Sequence, residues 1–361
     1  MNARRAALLG IALAAALAAL QPASAAPVRW LAVQLGTHRF GHLRAPDAIV
    51  ARAGVKEVGF ECGKPSACPG AEPSAGGGCG CIDVLPQGPT SFEVARGGSI
   101  WVLDGVNRRL LVWHAGQPAH PARAVRLPAG LDAGDFALGR DGTIYTYSTH
   151  NIAHRRNHML YALTPAGRVR WKTASAIETS NPALRLGADG TLYAVGATGD
   201  LAAWTPLTTA TGRPLPLVKQ RLRTRRFQPL AGGLRLVTTQ PSSREVRITL
   251  RDQAERVVRA WRITSRTALG STRTSSAMVG GDVIVVLDVS HEAQWERVVL
   301  RLGSRGIRQN FSLDGRAVWD PDGTAAGAPV RVGPDGQLYQ LRTNPTSGVS
   351  VARYSLGRGL Q

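Results

Sequence analysis

The sequence predicts an all-β protein, a six-bladed β-propeller closed by an N-terminal strand. Two observations lead to this fold class: a glycine turn recurs six times at spacings of 43 to 55 residues, and short apolar runs flank each turn. The recurring glycines are Gly98, Gly142, Gly190, Gly233, Gly281 and Gly336. A repeat of this length accommodates the four strands of a propeller blade, which cannot bury its faces without neighbouring blades.

The strands of each blade are predicted from runs rich in β-branched and aromatic residues, bounded by Gly, Asp, Asn or Pro. Blade 1 contains SFEVAR, SIWVLD, RLLVWH and ARAVRLP, and blade 2 contains DFALGR, TIYTYSTH, HMLYALTP and RVRWKTASA. Blades 3, 5 and 6 follow the same plan. Blade 4, over residues 227–264, keeps the strand pattern but has the weakest turn. The last blade shows only three strands, in APVRVGP, QLYQLRT and VSVARYSLG.

Closure of the ring therefore requires a strand from elsewhere, because an open ring leaves unpaired strand edges. We expect residues 55–61 (VKEVGFE) to supply it by pairing with residues 349–356. Residues 28–35 form a further candidate strand whose place the sequence leaves open. That strand either joins the same blade or caps the barrel.

The first 25 residues are predicted to be a secretory signal peptide. Arg4 and Arg5 precede an apolar stretch over 6–20, and a small-residue cleavage site follows at 23–25. Fifteen apolar residues are too few to span a bilayer, which takes about 20. We therefore expect residues 26–361 to form one secreted or periplasmic propeller domain that is not transmembrane after signal cleavage.

A cysteine-containing insertion over 62–81 precedes the first blade. Its four cysteines are Cys62, Cys68, Cys79 and Cys81. In an exported chain an even cluster predicts two disulfides, either 62–79 with 68–81 or 62–81 with 68–79. A four-thiolate zinc site is the alternative, but the spacing lacks paired C-x2-C knuckles.

Residues 88–113 resemble the NHL-type repeat of six-bladed, TolB-like propellers. In that unit an Asp and an Asn-x-Arg follow the second strand, and here Asp104, Asn107 and Arg109 fall at these positions. The resemblance implies the propeller fold over residues 55–357. It also implies a structural role for the Asp and Arg, which tie the turn between strands two and three.

The blade 2 loop STHNIAHRRNH carries His150, His154 and His158, which would share one face of a helical turn and are candidate zinc ligands. Arg155 and Arg156 lie between them and would repel a cation, so a solvated polar loop is the alternative interpretation. The six-bladed fold also includes lyases and lactone hydrolases that hold a metal in the central channel. The matching residue types here are Asp135, Glu178, Asn181, His150 and His291.

The chain is strongly basic, with 44 Lys and Arg against 24 Asp and Glu and a formal net charge of +20. In KQRLRTRRF, Lys219, Arg221, Arg223 and Arg225 alternate with uncharged residues, so a strand there would place all four cations on one face. Such a stripe is either a solvated blade edge or an anion-binding surface.

These observations predict an exported binding or scaffolding module whose partner is an anionic envelope polymer or another protein. The alternative hypothesis is a metal-dependent lyase or lactone hydrolase working at the central channel. Nucleic acid is not an expected partner, because the chain is exported and the basic run lacks the aromatic interleaving of stacking platforms. No motif in the sequence assigns a cofactor.

Overall fold

The computed structural model describes residues 28–60, 88–148, 158–176, 182–198, 201–270, 276–291, 294–318 and 329–357. The chain divides into two compact units, Met1–Trp30 and Leu31–Gln361. The signal-peptide prediction and the cysteine insertion fall outside the described residues. The second unit contains all the strands described below.

The described residues of the second unit form six β-sheets arranged as the blades of a propeller, which confirms the predicted fold class. The N-terminal segment contributes β1 (Leu31–Gln34) and β2 (Ala48–Ala53). Blade 1 consists of β3 (Ser91–Val94), β4 (Ile100–Asp104), β5 (Arg109–Trp113) and β6 (Arg123–Arg126). Blade 2 consists of β7 (Ala133–Leu138), β8 (Ile144–Ser148), β9 (Met159–Leu163) and β10 (Val169–Ala174). Both blades match the strands predicted from the sequence.

The remaining blades follow in chain order. Blade 3 contains β11 (Ala183–Leu186), β12 (Leu192–Thr198) and β13 (Leu201–Pro206), followed by a short helix, α1 (Leu217–Leu222). Blade 4 contains β14 (Gln228–Pro229), β15 (Arg235–Ser242), β16 (Glu245–Arg251) and β17 (Val257–Thr264). Blade 5 contains β18 (Ser276–Val279), β19 (Asp282–His291), β20 (Gln294–Gly303) and β21 (Gly306–Asp314). Blade 6 contains β22 (Val330–Val332), β23 (Leu338–Asn344) and β24 (Gly348–Tyr354).

An N-terminal strand completes blade 6, as predicted, but it is a different segment from the one expected. β2 pairs antiparallel with β24, from Ala48 opposite Arg353 to Ala53 opposite Val349. Residues 55–58 instead form a turn, and Val58 packs in the core between blades 6 and 1. The closing strand therefore lies several residues earlier in the chain than the expected segment, 55–61.

Residues 31–60 run along the outer edges of blades 4, 5 and 6 and end at a turn of blade 1, and we call this segment the belt. β1 lies parallel to β17 as a fifth strand on blade 4, so the candidate strand at 28–35 neither joins blade 6 nor caps the barrel. Farther along, the Arg44 amide donates to the Ser312 carbonyl on blade 5 at 2.9 Å. β2 then closes blade 6, and the Gly59 amide reaches blade 1.

The side chain of Glu296 on blade 5 holds the middle of the belt. Its Oε2 lies 2.8 Å from His38 Nε2, and its Oε1 accepts a hydrogen bond of 2.6 Å from the Gly41 amide. Glu296 is buried, and these two contacts replace the hydrogen bonds to water that its carboxylate loses on burial. The belt is therefore fixed by side-chain contacts between its strands as well as by strand pairing.

Asp104 is fully buried at the end of β4 and fixes both the following turn and the end of the belt. Its carboxylate accepts hydrogen bonds from Asn107 Nδ2 and Arg109 Nε, both 2.9 Å long. It also accepts a 3.0 Å bond from the Gly59 amide, and Arg109 donates to the Glu57 carbonyl at 2.6 Å. The contacts within the turn are those implied by the resemblance, and the contacts with the belt are additional.

Replacing Asp104 with alanine is expected to lower the free energy of unfolding by about 2–4 kcal/mol, because the Gly59 amide and Arg109 lose a buried anionic partner. The midpoint of urea unfolding measures this change. Asn107→Ala removes one neutral donor from the same turn and should cost only about 1 kcal/mol. Equal losses in the two variants would contradict the central role of the carboxylate.

The core lies between the blades rather than at one centre. Within the described residues, apolar clusters fill the junctions of blades 1 and 2, 2 and 3, 4 and 5, 5 and 6, and 6 and 1. Trp113, Trp261 and Tyr147 are among the largest side chains that these clusters bury completely. Over the same residues, no helix combines the length and apolar character needed to cross a membrane.

Candidate functional site

One region of charged side chains lies where the first strands of four blades face the central channel. The first strand of blade 1 contributes Ser91 and Glu93. The first strands of blades 2, 3 and 6 contribute Asp135, Arg185 and Arg331, one residue each. Asp135 is fully buried at the middle of this cluster. Of the predicted channel set, Asp135 and His291 are among the described residues, and Asp135 lies in the cluster.

The Asp135 carboxylate accepts hydrogen bonds from three neighbouring groups and pairs with two arginines. Backbone amides of Phe136 and Leu184 donate at 2.8 Å each, and the Ser91 hydroxyl donates to Oδ1. Arg331 Nη2 lies 3.4 Å from Oδ1, and Arg185 Nη1 lies 3.5 Å from Oδ2. Because the donors come from four blades, this carboxylate connects their inner strands.

The other carboxylate of the cluster, Glu93, forms an ion pair with Arg331. Arg331 Nη1 donates to Glu93 Oε1 at 2.5 Å. Burial raises the pKa of Glu93 above its ordinary value, although the charge of Arg331 opposes this shift. Burial and the nearby charge of Arg331 lower the pKa of Arg185 to about 10. Arg331 is itself buried, and its Nε has no hydrogen-bond partner within the described structure.

This geometry makes Asp135 a poor metal ligand, because both of its oxygens already accept hydrogen bonds and two guanidinium groups would repel a cation. Glu178, Asn181 and His150 lie outside the described residues. His291 ends β19 and is exposed, and its ring stacks on Phe40 of the belt with centroids 6.2 Å apart. Among the described residues, no group of three or more His, Cys, Asp or Glu side chains is arranged to hold a metal ion.

The histidine hypothesis for the blade 2 loop remains a prediction, because His150 and His154 lie outside the described residues. His158, which precedes β9, is within them. Its Nδ1 lies 3.2 Å from the Ser148 carbonyl oxygen, and its ring packs edge-on against Tyr147. These contacts hold the imidazole against blade 2. The disulfide prediction for Cys62, Cys68, Cys79 and Cys81 likewise stays a prediction.

The second charged region is the outer edge of blade 3, where the structure corrects the sequence prediction. Lys219 and Arg221 lie on helix α1, and Arg223 is its C-cap residue. The run is therefore not a strand that places all four cations on one face. Blade 3 consequently has three strands in the described structure instead of four. A single antiparallel bridge, between Trp204 and Arg225, resumes the edge after the helix.

Gln220 anchors α1 to the propeller. This side chain is fully buried. Its Oε1 accepts a 2.7 Å bond from the Ala176 amide of blade 2, and its Nε2 donates to the Leu215 carbonyl at 2.7 Å. The oxygen and the nitrogen of the Gln220 side-chain amide thus hold the helix at a fixed position on the blade edge.

The edge around α1 is basic and exposed. Between residues 201 and 244 the chain has eight Lys and Arg and no Asp or Glu. Five of these cations are exposed on or directly after α1, and we call them the basic edge: Lys219, Arg221, Arg223, Arg225 and Arg226. The alternation of cations in the sequence indicated four of them but not Arg226. Although the run contains a helix where a strand was predicted, the four predicted cations still lie at the edge of blade 3.

A cleft of about 500 Å³ lies beside the basic edge, between blades 3 and 4. Phe227 lines it, with the guanidinium carbons of Arg225 and Arg235 at 5.3 and 4.9 Å from the ring centre. Asp189 lines the same cleft, and Arg235 pairs with Glu255. The cleft therefore has charges of both signs, and Arg225 of the basic edge is one of its lining residues.

Comparisons with known proteins find solved structures that are similar to this chain at low sequence identity. No family model matches the sequence, and no curated protein matches it. Among solved structures, a streptogramin B lyase is 13% identical, over 73% of this chain and 78% of that one, with a TM-score of 0.36. A catalytically inactive virginiamycin B lyase from Staphylococcus aureus with quinupristin is 12% identical, over 75% and 85%, with a TM-score of 0.38. The PQQ-bound aldose sugar dehydrogenase from Streptomyces coelicolor is 12% identical, over 74% and 94%, with a TM-score of 0.39.

Proposed function

We propose that the protein is an exported binding or scaffolding module that engages a polyanionic component of the cell envelope through the basic edge. The observation that carries this proposal is the exposure of five cations on or directly after the anchored helix α1, within a stretch, 201–244, that contains no carboxylate. The contacts of Asp104, Asn107 and Arg109 support the further proposal that the repeats are of the NHL type.

The physical argument rests on charge density rather than on net charge. A surface that carries one sign of charge attracts a polyanion over distances near the Debye length, about 10 Å at 0.1 M salt. Arginines elsewhere lie beside carboxylates, as Arg262 does near Glu245 and Arg256 near Asp252. Residues 201–244 contribute eight cations and no carboxylate, so we expect the basic edge to dominate the attraction.

Replacing Lys219, Arg221, Arg223 and Arg225 with glutamine is expected to lower the salt concentration at which the protein elutes from a heparin column by about half. The reason is that removing each cation reduces the number of counterions released on binding. Folding should be little changed, because exposed charges contribute about 0–1 kcal/mol each. Retention of the purified mature protein on heparin, and on immobilised teichoic acid, is the measurement.

The matched control removes four exposed cations from other blades, with Arg96, Arg126, Arg168 and Arg305 replaced by glutamine. Both variants have the same net charge and differ only in where the charge was removed. The control should elute close to the unmodified protein. If the two variants elute together, the basic edge is an ordinary solvated surface and the proposal is wrong.

A further inference from the structure

Helix α1 exposes two large apolar side chains among the cations of the basic edge. Val218 is 68% exposed and Leu222 is 80% exposed, more than any other large apolar side chain among the described residues. The propeller therefore leaves the apolar surface of these two side chains in contact with water. Contiguous exposed apolar groups rimmed by charge typically mark a contact site.

The positions of these side chains follow from the helix period. At 3.6 residues per turn, successive side chains are rotated by about 100°. Val218 and Leu222 are four residues apart and share one face, and the buried anchor Gln220 points in the opposite direction. Lys219 and Arg221 flank the apolar face on its two sides. The anchoring of α1 therefore turns an apolar ridge bordered by cations outward from the blade edge.

This arrangement matches the chemistry of one partner class, the surface of an anionic lipid bilayer. Apolar side chains of an interfacial helix enter the boundary between headgroups and acyl chains, while Lys and Arg beside them attract anionic headgroups. A soluble polyanion would pair with the cations but would not bury Val218 and Leu222. The apolar pair is thus the feature that separates the two kinds of partner.

We propose that α1 is a membrane-contact element that inserts Val218 and Leu222 into the interface of an anionic bilayer. This inference rests on the proposed function and specifies its partner as a lipid surface. The propeller then lies on the bilayer with the edge of blade 3 facing the lipid. The bond between the Ala176 amide and Gln220 transmits the position of the helix to blade 2.

The test compares vesicle binding with heparin retention. Vesicles of phosphatidylglycerol and phosphatidylcholine in a 3:7 ratio, and vesicles of phosphatidylcholine alone, are sedimented with the mature protein. The unmodified protein should bind the anionic vesicles and not the neutral ones. Val218→Ser with Leu222→Ser should weaken binding to anionic vesicles about tenfold or more, because both side chains lose their transfer into the interface. Heparin retention of this double variant should be unchanged.

The matched control changes two apolar residues that are exposed on other blades, Val258→Ser with Ile307→Ser. It should bind vesicles like the unmodified protein. Unchanged circular dichroism and unchanged thermal midpoints show that both double variants are folded.

If the Val218 and Leu222 variant binds anionic vesicles as well as the control does, the membrane inference is overturned. The same holds if the unmodified protein binds heparin but no vesicles. The proposed function survives both results, since it fails only when the glutamine variants of the basic edge and of the other blades elute together from heparin.

Discussion

Replacing Asp135 with asparagine is expected to destabilise the propeller by about 3–5 kcal/mol, the effect of removing one partner from a buried ionic cluster. All the groups around its oxygens are donors, among them the Leu184 amide and the Ser91 hydroxyl. An asparagine amide would place its own N–H groups against one of these donors and leave Arg331 and Arg185 without their shared anion. The shift in the urea midpoint, with the slope of the transition, is the measurement.

Glu93→Gln provides the matched control in the same channel, because it also neutralises a carboxylate beside Arg331. The folded state raises the pKa of Glu93, so ionisation of this group opposes folding. The stability that the neutral acid contributes is present below its unfolded pKa and is lost as pH rises through the folded pKa. The difference in stability should therefore shift in favour of Glu93→Gln between pH 4 and pH 7. A loss in this variant as large as that of Asp135→Asn would show that the two carboxylates are equivalent.

Gly348→Ala is expected to weaken ring closure and to lower the free energy of unfolding by about 3–5 kcal/mol. Gly348 has a φ of +90°, and a Cβ there would overlap the carbonyl oxygen of Ala53 at the end of the closing strand. The left-handed backbone costs an alanine about 1–2 kcal/mol, and the displacement of β2 adds about 1–3 kcal/mol. Chemical denaturation measures the sum, and hydrogen exchange of the β2 amides shows whether the loss is local.

Gly116→Ala isolates the backbone term, since Gly116 has a φ of +78° and no atom within 4 Å of the added Cβ. It should cost about 1–2 kcal/mol. If the two alanine variants are equally stable, the contact between β24 and the closing strand is too loose for the added methyl to matter. Faster exchange confined to β2 in the Gly348 variant would show that the belt opens while the blades stay folded.

The sequence was sufficient to predict the six blades because the turns are local signals. The sequences GRDGTIY, GADGTLY and GPDGQLY fold alike. In each, the amide of the first glycine donates to the carbonyl four residues later. The aspartate accepts a hydrogen bond from the backbone amide of the residue just before the next strand. The closing strand lacked such a signature. Residues 48–53 read AIVARA, and their apolar pattern is no stronger than that of VKEVGFE. Val58 is buried in the latter segment by packing against blade 1 rather than by strand pairing.

The candidate sites were predictable in part. Alternation of cations over residues 219–225 suggested a strand, yet Pro216 precedes the run as the helix N-cap, and Leu, Lys, Gln and Arg all favour helices. That proline was the feature of the sequence that could have indicated a helix. Arg185, Arg331 and Glu93 were missed because their strands are separated by up to 238 residues and meet only when the ring is closed. The spacing of residues along the chain does not show which side chains of different blades come into contact.

The belt imposes an order on folding. Its strand β2 precedes all six sets of blade strands in the chain, but its partner β24 belongs to blade 6, the last of them. Ala53 pairs with Val349, so the edge of blade 6 stays incomplete until every blade has been made. Closure of so long a loop is entropically costly and slow, so the early blades form first and the belt docks last. The ring therefore has one seam that stays open until its sixth blade exists, and the final pairing step joins the belt to that blade.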